Sequence, residues 1–173
     1  MRVEKTTLPG VVIITPRRFA DDRGFFSECW NSRAMAEAGL HRDWVQDNHS
    51  LSQPANTLRG LHFQAPPFAQ AKLVRCGQGE VFDIAVDLRC GSPTFGQWFG
   101  ALLSAENGAQ LFIPEGFAHG FITRVPQCEV LYKCSAPYDG PSDRAIRWDD
   151  PTLAIDWGNT LPPLLSEKDA TAP

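Results

Sequence analysis

Short apolar runs, rich in β-branched and aromatic residues and broken by Gly, Pro, Asn and Asp, recur along the whole chain. Runs of this kind predict strands, here over 10–15, 25–30, 44–51, 58–64, 71–76, 80–88, 97–103, 110–113, 120–123, 129–135 and 145–148. Only 31–38 reads as a helix, with Asn31 as N-cap, an Ala/Met-rich middle and Gly39 as its stop. The clearest alternation lies in 80–88, with Val81, Asp83, Ala85 and Asp87 on one face and Phe82, Ile84, Val86 and Leu88 on the other. The second face is expected to be core. Asp83 reads equally as a solvated residue or as the wall of a polar cavity, and Asp87 as exposed. Many short strands with turn signals such as Cys90-Gly-Ser-Pro93 between them indicate an all-β sandwich or barrel.

Composition narrows the function without naming it. A length of 173 residues, 43% of them hydrophobic and 21% charged, suits one globular domain over 1–173. A formal net charge of -4 argues against a nucleic-acid partner, which would favour a basic face. No apolar run reaches membrane-spanning length, and the N-terminus has no signal-peptide core, so no membrane partner is expected and the cytoplasm is the expected compartment. The five cysteines are scattered without Cys-x-x-Cys spacing, which indicates neither a disulfide framework nor a zinc knuckle.

Two segments carry candidate chemistry. Leu58-Arg-Gly-Leu-His-Phe-Gln64 places Arg59 and His62 in a run otherwise built like a buried strand. Unpaired buried charge is expensive, so His62 is the first catalytic candidate. Ile113-Pro-Glu-Gly-Phe-Ala-His-Gly-Phe121 contains a Pro-x-Gly-x-x-His core, Pro114, Gly116 and His119. This core resembles the second signature motif of the cupin barrels, and the chain is expected to be a cupin-type double-stranded β-helix, a jelly-roll barrel, with a few short helices. In metal-dependent cupins the histidine of that motif is a ligand, helped by a His-x-His pair on an earlier strand. Here that strand offers His62-Phe-Gln64, and four histidines without a His-x-His argue against a first-row metal site of three or more ligands, so no metal is expected. His119 then faces the barrel mouth or serves as a hydrogen-bonded structural histidine at its rim.

The chain resembles the dTDP-4-dehydrorhamnose 3,5-epimerase family along nearly its full length. Besides the two segments above, Asp22-Arg-Gly-Phe-Phe-Ser-Glu28, Gln46-Asp-Asn48, Ala71-Lys72, the 79–87 strand, Gly91-Ser-Pro-Thr-Phe-Gly96, Tyr132-Lys-Cys-Ser135 and Asp150-Pro-Thr-Leu-Ala-Ile-Asp-Trp157 carry it. The resemblance implies epimerisation of dTDP-4-keto-6-deoxy-D-glucose at carbons 3 and 5, without a cofactor, in a homodimer. Both carbons flank a ketone, so each proton can leave to an enolate and return on the other face. That chemistry needs a base, an opposing acid and a stabilised oxyanion.

By the same resemblance His62 is the base, suited to it because a histidine's unperturbed pKa of about 6.5 leaves much of it neutral near pH 7. Asp169 is its carboxylate partner, Lys72 the cation beside the ketone and Tyr132 the acid. Arg23 and Arg59 match the phosphate contacts, where a guanidinium grips bidentately. Glu28, Gln46 and Asn48 match the thymidine and ribose contacts, and Tyr138 matches the residue that stacks on thymine. His119, Asp143 and Lys168 stand at further binding positions. Each residue has an ordinary alternative: Ser166-Glu-Lys-Asp169 is also a capping-box sequence that starts a short helix, Lys72 a solvated strand lysine and Tyr132 a core strand residue. A mono-epimerase of a related dTDP-4-keto sugar, or a non-catalytic nucleotide-sugar-binding cupin, would share many of these motifs.

Overall fold

A computed structural model describes residues 1–173. Thirteen strands and two short α-helices follow one another: β1 (Arg2–Lys5), β2 (Val12–Thr15), β3 (Arg18–Asp21), β4 (Gly24–Ser27), α1 (Ser32–Glu37), β5 (Gln46–Ser52), β6 (Leu58–Gln64), β7 (Lys72–Gln78), β8 (Glu80–Asp87), β9 (Trp98–Ser104), β10 (Gln110–Ile113), β11 (Phe117–Thr123), β12 (Cys128–Cys134), β13 (Asp143–Ala145) and α2 (Glu167–Ala170). Two sheets face each other, one ordered β1-β2-β10-β7-β12-β5 and the other β13-β6-β11-β8-β9. All their pairings are antiparallel, which gives the jelly-roll barrel expected of a cupin. β3 and β4 form a separate hairpin.

The space between the sheets is filled at one end by Val74, Cys76, Val81, Ala85, Leu103, Leu111, Ile113, Phe117, Phe121, Cys128 and Val130, all buried. Burying an aliphatic or aromatic side chain of this size contributes about 1.5–3 kcal/mol, so this plug dominates the stability of the barrel. The outer faces are covered too. Met35, Leu40 and Trp44, from α1 and the segment after it, close over Val12, Ile14, Leu73 and Phe112 of the six-stranded sheet. Leu153, Ile155, Trp157 and Leu165 close over Leu58, Leu61, Ile84, Val86 and Ile122 of the five-stranded sheet. The indole N–H of Trp157 donates to the Trp148 carbonyl at 2.8 Å and pins this cover.

That double coverage corrects the reading of 80–88. Phe82, Ile84 and Val86 do face apolar neighbours, but as the outer layer, while Val81, Asp83, Ala85 and Asp87 line the barrel interior. Asp87, expected to be exposed, has no exposed surface. Burial alone would raise its pKa, but bonds from Arg89, Ser92 and Thr94 outweigh that and hold the carboxyl well below the usual range.

Other expectations hold with small shifts. Asn31 caps α1 by accepting from the Ala34 N–H at 3.1 Å. The expected 25–30 strand ends at Ser27, and the expected 145–148 strand is Asp143–Ala145 instead. β1 and β3, both short and mostly polar in sequence, were not expected.

Candidate active site

Beyond the apolar plug the barrel interior turns polar, and a single irregularity in β6 organises it. On a regular strand, residues three apart face opposite sides. In the β6–β11 pairing the register shifts between His119 and Phe121: His119 sits opposite His62 and Phe121 opposite Arg59, so two steps on β11 oppose three on β6. This extra residue is a β-bulge. Leu58, Leu61 and Phe63 consequently join the outer cluster, while both Arg59 and His62 line the interior cavity. Gly60 sits at the bulge with φ +128°, a left-side conformation that favours glycine.

The cavity, about 240 Å³, is lined by Arg59, His62, Lys72, His119, Tyr132 and Asp169, with Ser50, Phe121 and Ser166 between them. A second lobe of about 160 Å³ shares His62, Lys72 and Tyr132 and adds Gln46, Asn48, Gln64, Tyr138, Asp143 and Lys168. His62 comes from the five-stranded sheet, and Lys72 and Tyr132 from the six-stranded sheet. The two groups therefore approach the cavity from opposing walls.

Nε2 of His62 lies 2.5 Å from Oδ1 of Asp169. An ionised carboxylate only accepts, so Nε2 carries a proton, and in the neutral ring Nδ1 keeps a lone pair. Asp169 is buried, and burial alone would raise its pKa. Bonds from His62, from the Ser166 hydroxyl and from the Gly60 N–H outweigh burial and hold it below the usual carboxylate range. Asp169 both lies in the first turn of α2 and reaches His62: Ser166 accepts from the Asp169 N–H at 3.1 Å as N-cap of α2, and its hydroxyl donates to Oδ2 at 2.8 Å. The cap orients the carboxylate toward β6.

Lys72 is only 8% exposed and enters no ion pair. Burial lowers its pKa, and Cys134, Asp83 and Asp143, in that order, oppose this without cancelling it. A buried, unpaired cation opposes folding. Lys72→Met, which keeps the stem and removes the charge, is expected to stabilise the fold by about 1 kcal/mol or more, raising the melting temperature by roughly 2–4 °C per kcal/mol. Calorimetry checks it; an unchanged or lower melting temperature refutes it. Burial also pushes the Tyr132 phenol up, against smaller opposing effects of Asn48 and Arg59, so it stays protonated.

His119 is buried, and its Nε2 lies 2.8 Å from Oδ1 of Asp83. It is thus a hydrogen-bonded histidine that also lines the cavity. Gln64 stands where a metal cupin would carry its second histidine, and its amide is engaged by backbone: it donates to the Phe68 and Pro137 carbonyls and accepts from the Asp139 N–H. No three His, Cys, Asp or Glu side chains gather in a way that could hold a metal ion.

At the rim, the Tyr138 N–H donates to Gln46 Oε1 at 2.7 Å, the Tyr138 hydroxyl donates to Asp143 at 3.3 Å, and Lys168 pairs with Asp143. Arg59 is held by the Ser52 hydroxyl and the Leu51 carbonyl. Eleven of the thirteen candidate residues line the two lobes. Arg23 and Glu28 do not: Arg23 is on the tip of the β3–β4 hairpin, paired with Asp21 and 90% exposed, and Glu28 lines a separate groove with Trp30. Asp83 was not among the candidates, although its place beside alternating apolar residues was the signal.

The model of the dTDP-4-dehydrorhamnose 3,5-epimerase family matches residues 5–173. The chain belongs to the dTDP-4-dehydrorhamnose 3,5-epimerase family. It is 53% identical to the dTDP-4-dehydrorhamnose 3,5-epimerase of Salmonella typhimurium over 174 residues, covering 100% of this chain and 94% of that one. Among solved structures, this epimerase-family chain superimposes on the Bacillus anthracis enzyme with TDP and PPi bound at a TM-score of 0.97 and 47% identity, covering 99% and 98% of the two chains. It superimposes on the Legionella pneumophila enzyme in complex with dTDP-4-keto-L-rhamnose at 0.95 and 46% identity, covering 99% and 90%.

Proposed function

We propose that this epimerase-family chain inverts carbons 3 and 5 of dTDP-4-keto-6-deoxy-D-glucose to give dTDP-4-keto-L-rhamnose. The observation that carries the reading is the Asp169-bound His62 on one wall of the cavity, with Lys72 and Tyr132 on the other.

The ketone at carbon 4 acidifies the protons on both neighbouring carbons. Nδ1 of His62 removes one of them, and Asp169 stabilises the imidazolium that forms. The electron pair of the broken C–H bond moves onto the ketone oxygen, where the Lys72 ammonium stabilises the enolate. Tyr132 then delivers its phenolic proton to the carbon from the other wall, inverting it. Solvent returns a proton to the phenolate and removes one from His62. The same sequence repeated at the second carbon completes the double inversion.

Arg59 is suited to the pyrophosphate and His119 to a sugar hydroxyl, while Gln46, Asn48, Tyr138, Asp143 and Lys168 form the lobe fitted to the thymidine end. Arg23 and Glu28 reach a site only if supplied from a second copy, which favours a homodimer. The hairpin that carries Arg23 also exposes Phe19, Phe25 and Phe26 by half or more, the surface a partner chain would cover. The cytoplasm remains the proposed compartment; no helix is long and apolar enough to cross a membrane, and all five cysteines are free.

Incubation with dTDP-4-keto-6-deoxy-D-glucose in heavy water, read by proton NMR, tests the reaction. Deuterium is expected at both carbons. Exchange at one carbon makes the chain a mono-epimerase, and exchange at neither leaves a sugar-binding cupin. For Tyr132→Phe, proton removal by His62 continues while epimer formation falls about 10²-fold or more. Epimerisation at the wild-type rate would place the acid elsewhere.

A further inference from the structure

The Asp83 carboxylate lies in the middle of β8 with no exposed surface, between Val81 and Ala85 on the interior face. One of its oxygens, Oδ1, accepts from His119, while Oδ2 is buried and has no hydrogen-bond partner. A half-satisfied buried carboxylate opposes stability, as removal of a partner from such groups shows in general. The barrel would fold more comfortably with an apolar residue here, as it does at Val81 and Ala85. What Asp83 supplies is charge and direction to His119, which lines the cavity.

We propose that Asp83 is a positioning residue for the epimerisation: it holds His119 as the Nε2–H tautomer, with Nδ1 turned to accept a hydroxyl proton of the sugar, and its negative charge keeps Lys72 an ammonium beside the ketone. The inference rests on the reaction assigned above. Asp169 is engaged by His62 and Asp143 by Lys168, and Asp83 is the carboxylate that bonds His119. The groups around Lys72 are Asp83 on β8, His119 on β11, His62 and Arg59 on β6, Tyr132 and Cys134 on β12, Asp143 on β13, and Lys168 and Asp169 on α2. Burial lowers the Lys72 pKa, and Asp83 is among the charges that oppose it. Burial likewise lowers the His119 pKa, ahead of the opposing effect of Asp83 and the supporting effects of Lys72 and His62, so His119 stays neutral and can present a lone pair.

The sign for pH follows. Lys72 stabilises the enolate only as an ammonium, so activity falls as pH rises through its pKa. Loss of the Asp83 charge lowers that pKa and brings the fall to lower pH. In Asp83→Asn, which is nearly isosteric, the alkaline limb of kcat/KM is expected to move to lower pH. Titration of Lys72 in the free enzyme, followed through the NMR signal of its ε-carbon, moves by the same amount. That measurement needs no turnover, so it separates failure of this inference from failure of the assigned reaction. An unmoved Lys72 titration overturns the proposal. The ¹⁵N signals of His119 in the unsubstituted protein are expected to show Nε2 protonated and Nδ1 bare near pH 8, and the reverse tautomer overturns it even if Asp83→Asn does not fold.

Discussion

His62→Gln is expected to slow deuterium exchange at carbon 3 and at carbon 5 together, by about 10²–10⁴-fold. The glutamine amide is of a size to place an N–H near the position of Nε2 and so keep Asp169 partnered, but it offers no basic nitrogen to the sugar. Base chemistry is thereby separated from pairing, which matters because Asp169 is only 3% exposed and would oppose folding if left alone. The melting temperature should stay within a few degrees while exchange collapses. Proton NMR in heavy water reads both carbons in one experiment. Exchange within tenfold of the unsubstituted protein removes His62 from the base role, and exchange retained at one carbon reveals a second base.

Gly60→Ala is expected to be the most damaging small substitution in the barrel. A Cβ there would lie 2.6 Å from the Gly120 Cα and 2.8 Å from the His119 carbonyl oxygen, both backbone atoms of the paired strand. No rotamer relieves such a contact, and φ +128° adds strain for any residue with a side chain. A loss of about 3 kcal/mol or more follows, equivalent to roughly 6–12 °C in melting temperature. Gly24 supplies the control. It has the same φ of +128°, but nothing lies within 4 Å of its would-be Cβ. Gly24→Ala should therefore show the conformational strain alone, about 1–3 kcal/mol. Activity should also fall in Gly60→Ala, since relaxing the bulge returns Arg59 and His62 to opposite faces. If the two alanine variants melt together, the close approach of β6 to β11 is not what demands glycine.

Much of the barrel was legible in the chain because strand signals are local. The 58–64 and 110–113 runs match their strands residue for residue, and Asn31 caps the helix that its side chain favours. The strand that misled was 80–88. Alternation distinguishes two faces but not which one looks into a barrel, and here both are buried, one by the opposite sheet and one by the 146–165 segment. Asp87 was placed wrongly for the same reason: its partners Arg89, Ser92 and Thr94 come from the turn that follows, and a turn's side-chain bonding is invisible in a pattern of polar letters.

The residue types of the site, and the resemblance that groups them, come from the sequence by itself: His62, Lys72, Tyr132 and Asp169 could be named without coordinates. Only the tertiary structure decided that His62 and Tyr132 face each other across one cavity, because that depends on which sheet each strand joins. It also decided that Arg59 and His62 share a face despite odd spacing, through a bulge defined by the partner strand. Asp169 meets His62 across a sequence separation of 107 because the Trp157 cover returns the chain beneath β6. Arg23 and Glu28 stand apart for the opposite reason: the β3–β4 hairpin and the residue that follows it lie outside the cavity of their own chain. Periodicity carries information about neighbours along the chain, and a catalytic site is a relation between residues that only packing makes neighbours.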